Sequence, residues 1–554
     1  MARYVVSDDY APQFLQTKGE SLDMSRWGSL LLQMCPRDHL LVALAAASRA
    51  AGAGESALEE WEEYVLSHVE PALAKALLAG LKGTDGGPRR VLLARQPVLL
   101  ATRLALTEPP PQSPTGTADP AVVATMLSHF AARSSYSSRR ATSPDRRLGG
   151  IPEGMALEIV ANGHFNASFD FGDRLARTYL LWTEYESRLE RYRPRIPLRE
   201  LVREATGMTV IDLLVLAFGI FAHADASRPD LAPPLDLARI GLPGERIERF
   251  LARFSATATE FARQLAGGDG DWMFLPFEDR PLLRLGPGQQ VVVLDIQLFK
   301  LRVTSALYWL VHDHEKASGE RQRGAWTQVY SELVEICAEE ILRGFAAPQH
   351  TFFTEEALAP LGGKAVDCGV DFGDFVFLAD VVQHQLTVPT RMLLDADAFE
   401  KDMRLTVMTK VKQLDGSAAV LLERAADPLH PLGRRPQRIV PVVVQGADFP
   451  VNRVTVRYAR EKALEAGWLT QPECTPLVMC TLEELEMVAT VVNNDVDSAE
   501  DLLRAWVHEG GEEPLRNFIF RRYGGSEWER PARMQQALTE ILDRVEEAFA
   551  ALDG

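Results

Sequence analysis

Two aspartates, Asp367 and Asp380, lie in segments where a carboxylate is costly to bury. Asp380 belongs to residues 375–382, which are apolar on both faces and therefore predict a buried strand. Removing an ionised carboxylate from water costs several kcal/mol, so a buried aspartate is normally paired, protonated or bound to a cation. We expect Asp380 to have such a partner. The alternative is an edge strand with one open face, on which Asp380 would contact water.

The preceding strand, at residues 364–371, supplies the candidate partner. Side chains alternate along a strand, so Asp367, Gly369 and Asp371 share one face. The connection between the two strands is short, and pairing across such a hairpin sets Asp367 nearly opposite Asp380. Two converging carboxylates offer hard oxygen ligands for Mg²⁺ or Mn²⁺, ions that polarise a phosphate and activate a water. Without Asp380, the ordinary role for Asp367 and Asp371 would be to cap the turn.

The order of elements around these aspartates resembles that of the PD-(D/E)XK nuclease superfamily, which has the restriction-endonuclease-like fold. In that family a helix precedes a hairpin that carries Asp and then (Asp/Glu)-x-Lys. The resemblance covers about residues 326–480 and rests on this order and on two tetrapeptides, KAVD ending at Asp367 and ADVV ending at Val382. It implies that Asp367 and Asp380 are metal ligands and catalytic residues. The family lysine would fall at position 382, where this sequence has valine.

Some members of the superfamily supply the lysine from the following helix, which implies a candidate at Lys410. We predict a helix at residues 396–414, and Lys410 falls within the arc of its apolar face. That face consists of Phe399, Met403, Val407 and Leu414. Two interpretations remain open: a displaced catalytic lysine, or a surface lysine whose ammonium reaches around the helix to water. The sequence favours the second.

A glutamate from the helix before the hairpin often joins the site in this superfamily, which implies a role for Glu335. The helical wheel opposes that role, because Tyr330, Leu333 and Cys337 define the buried side and Glu335 lies nearly opposite. We keep Glu335 as a candidate catalytic residue on position alone.

Helical periodicity dominates the rest of the chain and predicts a multidomain, mainly α protein with a helical N-terminal half. The α/β domain is expected to have a restriction-endonuclease-like mixed sheet flanked by helices. The predicted divisions are a helical N-terminal domain at 1–106, a Pro/Ser/Arg-rich linker at 107–150, a helical domain ending in a β-hairpin at 151–325, the PD-(D/E)XK-like α/β domain at 326–481, and a helical C-terminal region at 482–554.

Composition narrows the function classes. A net charge of −18 opposes uniform attraction to nucleic acid, so contact with nucleic acid needs a local basic surface. The five cysteines form no CxxC pair, which argues against disulfides and structural zinc. Export signals, membrane-spanning runs, Walker loops, GxSxG elbows and HExxH motifs are not found in the sequence. We expect a cytoplasmic protein with no membrane association and no organic cofactor.

Two functions from different classes fit these observations. In the first, a degenerate nuclease serves as a nucleic-acid or protein binding module in bacterial DNA metabolism or phage defence, by analogy with the superfamily. Its partners would be nucleic acid or a protein of a defence or repair system. In the alternative, an active Mg²⁺-dependent nuclease cleaves phosphodiesters with Lys410 in place of the missing lysine. Val382 and the acidic charge balance favour the first.

Overall fold

The computed structural model is mainly helical and divides into two compact units. It describes residues 29, 31–53, 55–69, 71, 93–108, 118–137, 146–166, 170–226, 234–240, 242–266, 272–286, 288–362, 365–446, 448–524 and 528–550. The first unit is drawn from Met1–Ala141, Thr206–Leu307 and Ile541–Gly554, and the second from Thr142–Ala205 and Tyr308–Glu540. Each unit is therefore assembled from segments that are not contiguous in the chain.

The first unit combines helices with a small four-stranded sheet. Its helices are Arg37–Ala53, Glu55–Ser67, Arg95–Thr107, Pro120–Ser137, Val210–Ala226, Leu237–Ile240, Gly244–Phe254, Ala258–Leu265, Leu275–Asp279 and Ile296–Val303. The strand order in its sheet is Leu235–Asp236, Gln290–Val293, Leu282–Arg284, Ser255–Thr257. Helix Pro120–Ser137 lies inside the predicted linker, and residues 109–117 and 138–145 of that linker lie outside the described residues.

The predicted hairpin of the first unit exists but is smaller than expected. The residue patterns of 272–285 and 290–299 predict the two strands of this hairpin, whereas the paired residues are only Leu282–Arg284 and Gln290–Val293. Helices occupy the outer parts, Leu275–Asp279 and Ile296–Val303. Pro276 near the start of one helix and the Asp295 cap of the other favour helix over strand there.

The second unit is built on a five-stranded mixed sheet. Its strands are β1 (Thr351–Thr354), β2 (Cys368–Asp371), β3 (Val376–Val382), β4 (Ile439–Gln445) and β5 (Val478–Thr481). They lie side by side in the order β5-β4-β3-β2-β1. Strands β3, β4 and β5 are parallel, whereas β1 and β2 run antiparallel to their neighbours. The short edge strand β1 was not predicted from the sequence.

Helices cover this sheet. Helix α1 (Glu320–Phe345) packs on β1, β2 and β3, while α3 (Val407–Glu423) packs on β3 and β4. Helices α2 (Ala396–Leu405) and α4 (Arg453–Glu465) flank α3. The other helices with residues in this unit are Glu153–Phe165, Phe171–Tyr179, Leu180–Glu184, Tyr185–Arg188, Leu198–Thr206, Leu307–Ser318, Glu355–Leu358, Ala359–Leu361, Val388–Leu393, Leu482–Asn493, Ala499–His508, Leu515–Tyr523 and Ala532–Ala550, and a two-stranded ribbon pairs Arg147–Leu148 with Ile151–Pro152.

Local sequence explains how the site-bearing elements begin and end. The β2–β3 hairpin turns at Gly373, whose φ of 97° favours glycine. The side chain of Asn452 caps α4 through a reciprocal capping box with Thr455. The predicted helix at 396–414 is wrong in one respect, because it breaks at Thr406, where φ is −110° and ψ is −80°. Two helices, α2 and α3, therefore replace one.

The main apolar core of the second unit lies between the sheet and helices α3 and α4. Val376 and Leu378 of β3 and Ile439 and Val443 of β4 belong to it. Because strand side chains alternate, Asp380 points to this same face. Among the described residues no single helix is long and apolar enough to cross a membrane, although the consecutive helices Leu198–Thr206 and Val210–Ala224 meet that test as a bent pair, by length and composition alone.

Candidate active site

The register of the β2–β3 hairpin brings Asp367 and Asp380 together. Cys368 pairs with Ala379 and Asp371 with Val376, so one further step along the ladder sets Asp367 opposite Asp380. This is the position that the short hairpin predicts. Asp367 is held in place because its Oδ2 accepts a hydrogen bond of 2.6 Å from the backbone N–H of Val381.

Asp380 is completely buried, and the interpretation as an open edge strand is wrong. Its strand, β3, lies in the middle of the sheet between β2 and β4. Burial, and next the charge of Asp367, raises the pKa of Asp380 well above its ordinary value. A hydrogen bond between the two carboxyl groups also raises the pKa of Asp380. When both groups are ionised, Oδ2 of Asp380 has no hydrogen-bond donor among the described residues. Oδ1 of Asp380 thus accepts a hydrogen bond from Lys410, whereas Oδ2 accepts none from the described residues.

Lys410 of α3 places one positive charge, its ammonium group, beside the two carboxylates. Its Nζ lies 2.5 Å from Oδ1 of Asp380 and 3.5 Å from Oδ2 of Asp367. The lysine side chain is only 17% exposed, so it does not reach around the helix to water. Burial alone would lower the pKa of Lys410, but the charges of Asp367 and Asp380 outweigh it and raise that pKa above its ordinary value.

Glu335 of α1 also belongs to this group of charges. Its side chain is 14% exposed, and burial followed by the charge of Asp367 raises the pKa of Glu335 to about 7. The helical wheel was therefore wrong about its environment. Helix α1 is buried on a second side, because the ring of Tyr330 packs against Trp182 while the largely buried Glu335 lies near enough to Asp367 and Lys410 for their charges to act on its pKa.

A backbone segment at residues 190–192 covers Glu335, and sequence reasoning missed it. Arg191 forms an ion pair with Glu335 and contacts Glu355 at 3.4 Å. The carboxylate of Glu332 accepts hydrogen bonds from the backbone N–H groups of Glu190, Arg191 and Tyr192 at 2.7, 2.8 and 2.8 Å. Because Arg191 lies 144 residues before Glu335, no local pattern signals this contact.

Asp371, the other acidic residue on the face of Asp367, lies outside the site. Its Oδ1 accepts a hydrogen bond from the N–H of Gly373, and its two oxygens contact Arg434 at 2.6 and 2.8 Å. Arg434 also donates to the backbone oxygen of Gly373. Asp371 therefore stabilises the hairpin turn, which is the ordinary role that its position suggests.

The geometry brings Asp367, Asp380, Lys410 and Glu335 into one partly buried cluster. Of these, Asp367 and Asp380 offer the hard oxygen donors that a divalent cation requires, and the unpaired Oδ2 of Asp380 fits such a ligand. Magnesium is commonly held by one or two carboxylates together with substrate phosphate and water. Within the described part of the chain, no group of three or more His, Cys, Asp or Glu side chains is arranged to hold a metal ion.

Comparison of the chain with protein-family models, with curated proteins and with solved structures finds no match.

Proposed function

We propose that the cluster of Asp367, Asp380 and Lys410 is a divalent-cation-dependent site for phosphodiester cleavage, as the resemblance to the PD-(D/E)XK superfamily implies. The observation that carries this proposal is the contact of Lys410 with both aspartates. That contact supplies, from α3, an ammonium that Val382 cannot provide. The function would then be that of an active nuclease with a displaced lysine.

The donor set supports a cation rather than an organic cofactor. Asp367 and Asp380 would hold Mg²⁺ or Mn²⁺, which would supply charge stabilisation at the phosphate and an activated water. Lys410 is positioned to neutralise negative charge that develops on a phosphoryl group. Glu335, whose pKa is raised to about 7 by burial, can accept or release a proton near neutral pH.

A second candidate function is a degenerate, non-catalytic binding module for nucleic acid or for a partner protein of a defence or repair system. One observation favours it: Lys410 lies 2.5 Å from the buried Asp380 and already neutralises that carboxylate. A buried ion pair of this kind offsets the cost of burying Asp380 without any metal ion. The net charge of −18 opposes uniform attraction to nucleic acid and therefore favours the version in which the partner is a protein.

Cleavage assays separate the two candidates. The wild-type protein is incubated with plasmid DNA, single-stranded DNA and RNA in the presence of Mg²⁺ or Mn²⁺, beside the variants Asp367→Asn, Asp380→Asn and Lys410→Gln. We expect each substitution to lower cleavage at least about 100-fold, as loss of a charge-stabilising group does in other enzymes. Wild-type protein that cleaves none of these substrates and binds no divalent ion would refute the nuclease proposal.

Matched controls guard against contamination and unfolding. Lys412 lies two residues from Lys410 on the same helix but is exposed, so Lys412→Gln should cleave like wild type. Asp374, 56% exposed on the hairpin turn, provides the corresponding control for the aspartates. Cleavage that survives both Asp367→Asn and Asp380→Asn would come from another protein or another site. Nucleic-acid binding without any cleavage would favour the binding module.

A further inference from the structure

Gln445, the last residue of β4, is buried, and its polar side chain lacks a hydrogen-bond partner among the described residues. Its exposure is 0%, yet neither its Nε2 nor its Oε1 has a hydrogen-bond partner among the described residues. A buried polar group left unpaired costs about 1–3 kcal/mol. Native proteins therefore pair such groups with protein atoms or with ordered water. The carboxamide of Gln445 indicates a bound molecule next to it.

The sheet register locates Gln445 beside Asp380. Val443 pairs with Asp380 and Gln445 pairs with Val382 along the parallel strands β3 and β4. Because side chains alternate, Gln445 lies on the same face as Val443 and Asp380. One strand spacing and two residues of rise separate the Cα atoms of Gln445 and Asp380 by about 8 Å. That distance suits two polar side chains joined by one small molecule.

The unpaired atoms on this face match the needs of a water molecule. Asp380 contributes its unpaired Oδ2, and Gln445 contributes an amide nitrogen with two N–H donors and an acceptor oxygen. A buried water normally makes two to four hydrogen bonds, roughly three on average. Val382, opposite Gln445, leaves this position apolar where the superfamily motif has lysine. Asp380 and Gln445 lie on the same face as Val382 and carry the unpaired polar atoms there.

We propose that Gln445 is a positioning residue whose carboxamide holds a water molecule against Oδ2 of Asp380. Nε2 of Gln445 donates to the water oxygen, and the water donates to Oδ2 of Asp380. The bridge is inferred from the sheet register and from the unpaired atoms of the two side chains. Its role as the source of the attacking water rests on the proposed phosphodiester-cleaving function.

A double-mutant cycle tests the bridge without requiring any activity. Gln445→Met keeps the size of the side chain but removes both polar atoms, and Asp380→Leu removes the carboxylate. We expect Gln445→Met to lower the thermal midpoint, and to lower it less when Asp380→Leu is already present. An increase in the midpoint would overturn the bridge, because it would show that the two polar atoms of Gln445 are unpaired in the native protein. Strictly additive effects would also overturn it, because they would show that Gln445 and Asp380 do not interact.

Gln383 provides a matched control. Its Oε1 is also buried without a partner in the described part of the chain, but residue 383 continues β3 on the face opposite to Asp380. Gln383→Met should show no coupling with Asp380→Leu. Equal coupling for Gln383 and Gln445 would mean that the cycle reports general destabilisation, which overturns the assignment.

A crystal structure of the wild-type protein gives a readout that does not depend on variants. We expect density for a water within hydrogen-bond distance of both the Gln445 carboxamide and Oδ2 of Asp380. A Gln445 carboxamide that is bonded to other protein atoms would overturn the proposal.

Kinetics then separate the bridge from the proposed function. If the wild-type protein cleaves nucleic acid, Gln445→Met should lower kcat at least about tenfold and leave KM unchanged, because positioning of the water is lost while substrate contacts remain. A change in KM alone would contradict the positioning role. If the wild-type protein cleaves nothing, the proposed function fails, while the double-mutant cycle and the crystal structure still decide whether the bridge exists.

Discussion

The ammonium of Lys410 lies 2.5 Å from Oδ1 of Asp380, although 30 residues separate the two along the chain. One partner comes from a central strand and the other from the helix that packs on it. Asp380 is completely buried and Lys410 nearly so, which makes the pair sensitive to loss of either charge. Breaking a buried ion pair leaves an uncompensated charge in a medium that solvates it poorly.

We predict that Lys410→Met destabilises the protein by about 3–5 kcal/mol, because Asp380 then loses its buried counterion. Denaturant unfolding followed by circular dichroism measures the free energy of unfolding. Lys412→Met is the control: Lys412 is exposed on the same helix, and its substitution should change stability by less than about 0.5 kcal/mol. Equal losses for the two variants would show that the contact with Asp380 contributes nothing to stability.

The titration of Glu335 should make stability depend on pH. Burial, and then Asp367, raises the pKa of Glu335 from 4.5 to about 7, so folding disfavours its charged form. The stability that this residue contributes is complete below the unfolded pKa and is lost as pH rises from about 4.5 through 7. The loss is on the order of 3 kcal/mol.

Measurement of unfolding between pH 4 and 8 checks this sign. The free energy of unfolding of the wild-type protein minus that of Glu335→Gln should be larger at pH 4.5 than at pH 8. Glu356→Gln, at an exposed position near the start of the Glu355–Leu358 helix, serves as the control and should not reproduce that trend. A wild-type protein whose relative stability rises with pH would contradict the raised pKa of Glu335.

The sequence predicted the relation of Asp367 to Asp380 because both depend on local rules. A short hairpin fixes register, and the period of two fixes which side chains share a face. The apolar composition of residues 375–382 likewise predicted a buried strand, and β3 is one. These features need only residues that are neighbours in the chain.

The environment of Lys410 and Glu335 depended on tertiary contacts. The break at Thr406 divides the predicted helix, and no proline or glycine marks it in the sequence. Glu335 forms its ion pair with Arg191, which comes from a distant part of the chain. A helical wheel assigns one buried side, whereas α1 is buried on two.

Glu332 should control the segment that carries Arg191. Its Oε1 accepts hydrogen bonds from the N–H groups of Glu190 and Arg191, and its Oε2 accepts one from Tyr192. Hydrogen bonds to a charged group contribute about 1.5–3 kcal/mol. We therefore predict that Glu332→Ala accelerates amide exchange at all three residues at least about tenfold.

Glu332→Gln is the informative companion variant, because its amide keeps one acceptor oxygen. We expect it to preserve the protection of Glu190 and Arg191 and to lose that of Tyr192. Amide exchange followed by mass spectrometry or NMR resolves the three positions. If both variants exchange at the wild-type rate, Glu332 does not anchor this segment.

Val382 occupies the position where the superfamily motif has lysine. Val382 lies on the same strand face as Asp380, two residues further along β3, so a lysine there can direct its ammonium to Asp380. In a Lys410→Met background, Val382→Lys should therefore recover part of the lost stability, since one counterion replaces another. In the presence of Lys410 the same substitution should destabilise, because two ammonium groups would then lie close together at a largely buried site. Val381→Lys, which points to the opposite face, should give no recovery in either background. Purely additive effects of Val382→Lys and Lys410→Met on the free energy of unfolding would show that the two positions do not serve the same carboxylate.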